Sequence, residues 1–267
     1  MSTDKPLCLV TGASAGIGAA LATEFARNGW DLGLVARREA PMIALAKTLK
    51  DAYGTQSIIL PTDLSDMSEN LKLIGRVKKK GRTIDGLVNN AGFGMPGQYD
   101  DKSWLDHQVS LDVMLNGPCE LAHHVIPDMK AQGFGRIMNV ASLAGHMPGS
   151  KGHTTYAAIK AFLIKFSQSL NIELAPHGIK VSALCPGFTY SEFHDVNGTR
   201  GAVSELPDWM WMEASDVAED GYAALERGRA VFVPGGANKT IAMLGKVLPD
   251  SVALKLMAKN SEKFRKG

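Results

Sequence analysis

The chain has 267 residues, with 29 basic against 27 acidic side chains and a formal charge of +2. That length holds one large α/β domain or two small ones, and the near-neutral balance gives no electrostatic case for nucleic acid as a partner. Cys8, Cys119 and Cys185 are odd in number and scattered through apolar segments, Met1–Lys5 has no secretion-type apolar core, and no apolar run is long enough to span a bilayer, so a reducing, cytoplasmic setting with buried free thiols and no disulfide framework or metal cluster is expected.

The apolar run Leu7–Val10 predicts a buried strand. It enters Thr11-Gly12-Ala13-Ser14-Ala15-Gly16-Ile17-Gly18, from which a helix starts near Gly16. Strand, glycine turn and helix N-terminus together make a phosphate site, because bare N–H groups and the positive helix end face the anion. Further strands are predicted at Asp31–Ala36, Ser57–Pro61, Gly86–Asn89, Arg136–Ala141, Lys180–Leu184 and Ala230–Val233. Helices between them begin near Ala40, Asp66, Trp104, Tyr156 and Ser215. Strands spaced by helices imply βαβ crossovers and one doubly wound α/β domain over residues 1–267, with a seven-stranded, mostly parallel sheet covered on both faces. Ligands in such sheets sit beyond the strands' carboxyl ends. Asp63, Asn89-Asn90-Ala91-Gly92, Ser142 and Pro186-Gly187 all fall there.

The second strand leaves as Val35-Ala36-Arg37-Arg38, with Ala36 where an acid usually holds the adenosine ribose. Guanidinium groups favour a 2′-phosphate, which a carboxylate would repel, and Ser14 adds a hydroxyl. This reading prefers NADP(H) over NAD(H). Of five tyrosines, only Tyr156 has a lysine four residues on, Lys160, hence on the same helical face. A nearby ammonium lowers a phenol's pKa, and such a phenol can donate a proton to a carbonyl oxygen as hydride arrives at its carbon.

The glycine turn, Asn-Asn-Ala-Gly, Ser142, Tyr156/Lys160 and Pro186-Gly187, together and in this order, resemble the short-chain dehydrogenase/reductase family over roughly residues 5 to 233. The resemblance implies a Rossmann-type fold and a catalytic set of Ser142, Tyr156 and Lys160. Ser142 would bond the substrate carbonyl oxygen, Tyr156 would serve as acid/base, and Lys160 would grip the nicotinamide ribose. It implies that Thr11, Gly12, Ser14, Gly16, Ile17 and Gly18 hold the pyrophosphate side of the cofactor, with Arg37 and Arg38 at the adenosine phosphate. Asp63 and Leu64 would border the adenine, and Asn89, Asn90, Ala91 and Gly92 would line the cofactor floor and brace the sheet. Pro186, Gly187 and Thr189 would edge the nicotinamide, while Leu143, Met147 and Phe188 would join Ser142 and Tyr156 as substrate walls. A homodimer or homotetramer through the helices near Trp104 and Tyr156 is also implied.

One position departs from the family pattern. An asparagine that helps a water-linked proton path to the lysine falls in register on Met114, and Asn116 lies two residues on, about 200° around an ideal helix. Only a local helix irregularity before Pro118 would re-aim it. Residues 188–214, with Phe193, Trp209 and Trp211, match the family's substrate lid and suit a hydrophobic ketone, aldehyde or 3-oxoacyl compound. Residues 235–267 form an extension with helices at Thr240–Val247 and Ser251–Lys259, whose apolar side is expected to cover the domain or a second subunit. Its basic side makes an anionic membrane the lesser alternative. The rival to an enzyme is a non-catalytic NADP(H) sensor or scaffold, for which Met114 is the only witness.

Overall fold

A computed structural model describes residues 5–95, 97–191 and 207–261. Its centre is a parallel sheet of β1 (Leu7–Thr11), β2 (Asp31–Ala36), β3 (Ser57–Pro61), β4 (Gly86–Asn89), β5 (Gly135–Val140), β6 (Ile179–Leu184) and β9 (Val231–Phe232), in the order β3-β2-β1-β4-β5-β6-β9. The order reverses between β1 and β4, whose registers pair Cys8 with Gly86 and Val10 with Val88. Seven parallel strands bear out the sheet read from the sequence, with ends shifted by a residue or so.

Alternating side chains of each strand point to opposite faces. Cys8 and Val10 of β1 pack with Leu21 and Phe25 of α1 (Gly16–Arg27), Met42 and Leu49 of α2 (Glu39–Tyr53), and Val217 and Leu225 of α7 (Ala214–Glu226). Leu7 and Leu9 face the other way. They meet Leu73 of α3 (Ser68–Lys78), Leu121 and Val125 of α5 (Gly117–Gln132) and Leu174 of α6 (Thr154–Leu174). Each fully buried leucine or phenylalanine contributes about 1.5–3 kcal/mol. Both faces are therefore apolar, and the polar residues needed for chemistry are left to the strand ends.

Three features depart from the sequence reading. A parallel ribbon of β7 (Phe188–Tyr190) and β8 (Trp211–Glu213) closes the base of the expected lid, with Tyr190 stacked on Trp211 at 4.9 Å. Phe193 of the expected lid lies outside the described residues. The extension's first helix, α8 (Gly236–Val247), begins four residues early because Gly235, at φ +79°, turns the chain directly into it. It is followed by α9 (Asp250–Ser261). Cys119, expected to be buried, is only half-buried. Among the described residues no helix is long and apolar enough to cross a membrane.

Candidate active site

The carboxyl ends of β1 and β4 are stitched together at the point where the strand order reverses. The Thr11 hydroxyl donates to the Val88 carbonyl (3.2 Å) and accepts from the N–H groups of Asn90 (2.9 Å) and Ala91 (3.0 Å). The Asn90 amide donates back to the carbonyl of Thr11 at 3.0 Å. Asn90 lies in the Asn-Asn-Ala-Gly run that the family resemblance assigns to the cofactor floor and to bracing the sheet, and these bonds are of the bracing kind. Its neighbour Asn89 braces β4 on β5 through Asn139 (2.9 Å).

The glycine turn fits a dinucleotide. Gly12 and Gly16 take φ of +69° and +55°, and a Cβ at Gly18 would lie 2.2 Å from the Gly12 carbonyl oxygen. No side chain caps α1 at Ala15, so its first N–H groups stay bare toward the turn. Ser14 stands at the mouth, where its hydroxyl accepts from Arg38 (3.3 Å). Arg37 is exposed, and its charge adds to the hydrogen bonds from Ser65 that hold Asp63 below the usual carboxylate range. Ile17 and Leu64 turn into the core.

Beyond β5 the chain makes a tight helical turn, Leu143–His146, on which the Ser142 hydroxyl accepts from the Ala144 N–H (3.1 Å). The Leu143 N–H donates to the Pro186 carbonyl at 2.8 Å, tying this turn to the Pro186-Gly187 bend. Gly145 presses on α6: a Cβ there would be 2.7 Å from the Lys160 carbonyl carbon. That approach sets Ser142 beside Tyr156, and the two side chains share a hydrogen bond.

The protonation states are set mainly by burial. The Tyr156 phenol is raised by desolvation, and it is the Ser142 bond that works downward. The lowering expected from Lys160 is not the operative cause in this geometry. The Lys160 ammonium instead donates to the Val140 carbonyl at 2.7 Å and lies 5.5 Å from the centre of the Tyr156 ring. Burial brings Lys160 down to about 8, against the upward pull of Cys185, while burial pushes the Cys185 thiol up to about 12. Because folding lowers the Lys160 pKa from 10.5, its ammonium is penalised in full below pH 8 and not at all above 10.5. Stability from this group therefore rises across that window. The difference in urea midpoint between Lys160→Met and the parent is expected to shrink as pH climbs from 8 to 10.5.

The helix irregularity exists, but it does not rescue Asn116. Asp112–Asn116 forms a π-helical turn between α4 (Trp104–Leu111) and α5, a device common near functional sites. Asn116 stays exposed and donates to the Asp112 carboxylate at 2.7 Å. Met114 is 1% exposed and packs among Ala141, Ile159, Leu163 and Cys185, with Tyr156 alongside. Met114→Asn would bury an amide in that cluster, an expected loss of about 1–3 kcal/mol in urea unfolding. If Met114 impairs the proton path, the same variant should raise turnover and alter its pH profile.

The remaining candidates divide. Thr189 is buried, with its hydroxyl on the Gly187 carbonyl (3.2 Å). Phe188 leans on Trp211 at 5.6 Å, and Met147 lies against α8, its sulfur 3.6 Å from where a Cβ at Gly245 would stand. Asn238 of α8 carried no sequence signal. It is 5% exposed, donates to the Pro234 carbonyl (3.0 Å) and fills the space over Gly187, where a Cβ would be 2.5 Å from its oxygen.

Comparison with known proteins agrees with this geometry. The family model for short chain dehydrogenase matches residues 6–200. The oxidoreductase UcpA of Escherichia coli K12 is 36% identical over 180 residues, which are 67% of this chain and 68% of the relative. Sulfoacetaldehyde reductase 2 of Chromohalobacter salexigens is 33% identical over 218 residues, 80% of this chain and 85% of that one. Among solved structures, a short-chain dehydrogenase from Sphingobium yanoikuyae in complex with NADPH superposes with TM-score 0.80 at 33% identity, covering 94% and 95% of the two chains. The bulky-bulky ketone specific alcohol dehydrogenase of Comamonas testosteroni gives 0.77 at 30%, covering 96% and 94%. The chain belongs to the short-chain dehydrogenase family, an NAD(P)-binding oxidoreductase acting on CH–OH and carbonyl groups.

Proposed function

We propose that the protein reduces the carbonyl of a hydrophobic ketone, aldehyde or 3-oxoacyl compound, reversibly and with NADPH preferred, and that Tyr156 is the acid. The observation that carries this reading is the Ser142–Tyr156 hydrogen bond, held by Gly145 against α6 at the end of β5 and one helical turn from Lys160. Bound NADPH would supply the hydride. The Ser142 hydroxyl would meet the carbonyl oxygen and oppose the charge that builds there, while the Tyr156 phenol delivers the proton. Its raised pKa keeps the proton in place at neutral pH, as a reductive acid needs. The comparisons give no support to a sensor without turnover.

NADPH is favoured by the contact of Arg38 with Ser14, by Arg37 beside Asp63, and by Ala36 in place of an acid. The NADPH-bound Sphingobium relative points the same way. Arg38→Ala is expected to weaken NADPH binding about tenfold, equivalent to about 1.4 kcal/mol, with a much smaller effect on NADH. Nucleotide fluorescence titration measures both. Trp104 and Leu105 on α4 and Phe162 and Ile172 on α6 expose apolar surface, which supports assembly into a homodimer or homotetramer through these helices. Light scattering during gel filtration reads the number directly. NADPH oxidation against a panel of apolar and polar carbonyl compounds is the primary test. Absence of turnover on the whole panel, with tight NADPH binding, would overturn the reductase.

A further inference from the structure

Only one side of α8 covers the domain. Asn238 and Ala242 are buried and Ile241 is half-buried, while Met243, Leu244 and Val247 are 65%, 51% and 71% exposed. At about 100° per residue these three share one arc of the helix, with Lys239 and Lys246 along its edge. α9 continues the pattern: Ala253 is buried, and Val252, Leu254 and Lys255 are exposed. Single exposed apolar side chains are ordinary, but three on one arc call for a partner.

The charge around this arc is positive. Residues 236–267 hold seven basic and two acidic side chains, against 22 basic and 25 acidic in the other 235, and no carboxylate lies between Gly236 and Val247. Lys239 leans over the Phe232 ring at 5.3 Å. Among the described residues neither it, Lys246 nor Lys255 makes an ion pair. His146, packed under Gly245 of α8, is held below its usual range by burial first and then by the charges of Lys246 and Lys165. The turn Asp208–Met210 packs beside α8 and exposes Trp209, a residue type that settles at the headgroup level of a bilayer. Its Asp208 is one carboxylate against the three lysines.

We infer that the outer arc of α8, continued on α9, docks on an anionic lipid surface. Met243, Leu244 and Val247 enter the boundary between headgroups and acyl chains, and Lys239, Lys246 and Lys255 meet the lipid charges. A second copy of the chain is the poorer occupant, because a two-fold contact through this arc would set Lys239 and Lys246 against their own counterparts. Lipid headgroups supply the opposite charge, and lysine stems are long enough to reach them past an apolar stripe. The inference concerns where the protein works and stands apart from the reductase reading.

Flotation of the intact protein tests it, on mixed phosphatidylserine–phosphatidylcholine vesicles and on pure phosphatidylcholine ones. The parent should float with the mixed vesicles and stay behind with the neutral ones, and high salt should lower its recovery. Lys246→Gln should reduce the partition coefficient about fivefold, and the double variant Met243→Ser/Val247→Ser about tenfold or more. Both should keep the parent's urea midpoint, since only exposed side chains change. A parent that ignores the mixed vesicles, equal recovery on the neutral ones, or undiminished binding by either variant overturns the inference. So does a smaller assembly for the double variant in gel filtration with light scattering, which would make the arc a contact between copies. The parent's choice between the two kinds of vesicle needs no variant, and NADPH oxidation with soluble carbonyl compounds decides the reductase separately.

Discussion

Tyr156→Phe is expected to lower kcat by about 10² to 10⁴, the size of a positioned acid's contribution. The substitution deletes one oxygen and keeps the ring, so the packing of Tyr156 with Met114 and Ile159 persists. Ser142 keeps its bond from the Ala144 N–H, and the fold should lose no more than about 1 kcal/mol. NADPH affinity should change little, because the glycine turn and the arginines lie on other elements. Steady-state NADPH oxidation, with a fluorescence Kd on the same preparation, separates the two effects. Turnover retained at the parent rate would remove Tyr156 from its role, and equal losses in binding and turnover would point to a collapsed site.

The second large effect is expected from Gly18→Ala. A Cβ there would stand 2.2 Å from the Gly12 carbonyl oxygen and 2.4 Å from the Asn90 amide nitrogen. Neither neighbour can give way cheaply, since one is backbone in a left-handed turn and the other is held on the Thr11 carbonyl. Relief requires α1 to move off the turn, at an expected loss of about 3 kcal/mol in stability. NADPH binding should weaken by about 100-fold, because the bare N–H groups move with the helix. Gly75→Ala is the control: nothing lies within 4 Å of a Cβ there, and mid-helix alanine should stabilise α3 by about 0.5–1 kcal/mol. Urea unfolding and NADPH titration of both variants distinguish local collision from a general intolerance of glycine replacement.

Much of this was legible in the sequence because apolar strands and glycine turns announce themselves locally. Leu7–Val10 followed by Gly12, Gly16 and Gly18 could be placed as strand, turn and helix without any tertiary information. Ser142 and Tyr156 could be paired only through the family resemblance. Fourteen positions separate them, and what joins them is the contact of Gly145 with the Lys160 backbone. The β7–β8 ribbon escaped because three-residue strands carry too short a period to read. Asn238 escaped because the helix read from the sequence begins at Thr240, which leaves this asparagine outside it until the fold lays Gly187 against it. Lys160 was assigned to the phenol by helical spacing and by the family resemblance. Position on one face does not say which acceptor wins, and the Val140 carbonyl takes the ammonium.

The placement of α8 carries a consequence for engineering. A Cβ at Gly245 would come within 2.7 Å of the His146 carbonyl oxygen, and Asn238 sits on Gly187, so one helix buttresses two bends, one just after Ser142 and the other at Pro186-Gly187. Shortening the polypeptide to the boundary of the family pattern would strip away that buttress while sparing every reactive group. Chimeras that import this chemistry into a smaller scaffold must carry the buttress with them, and tags are better appended beyond it than spliced before it.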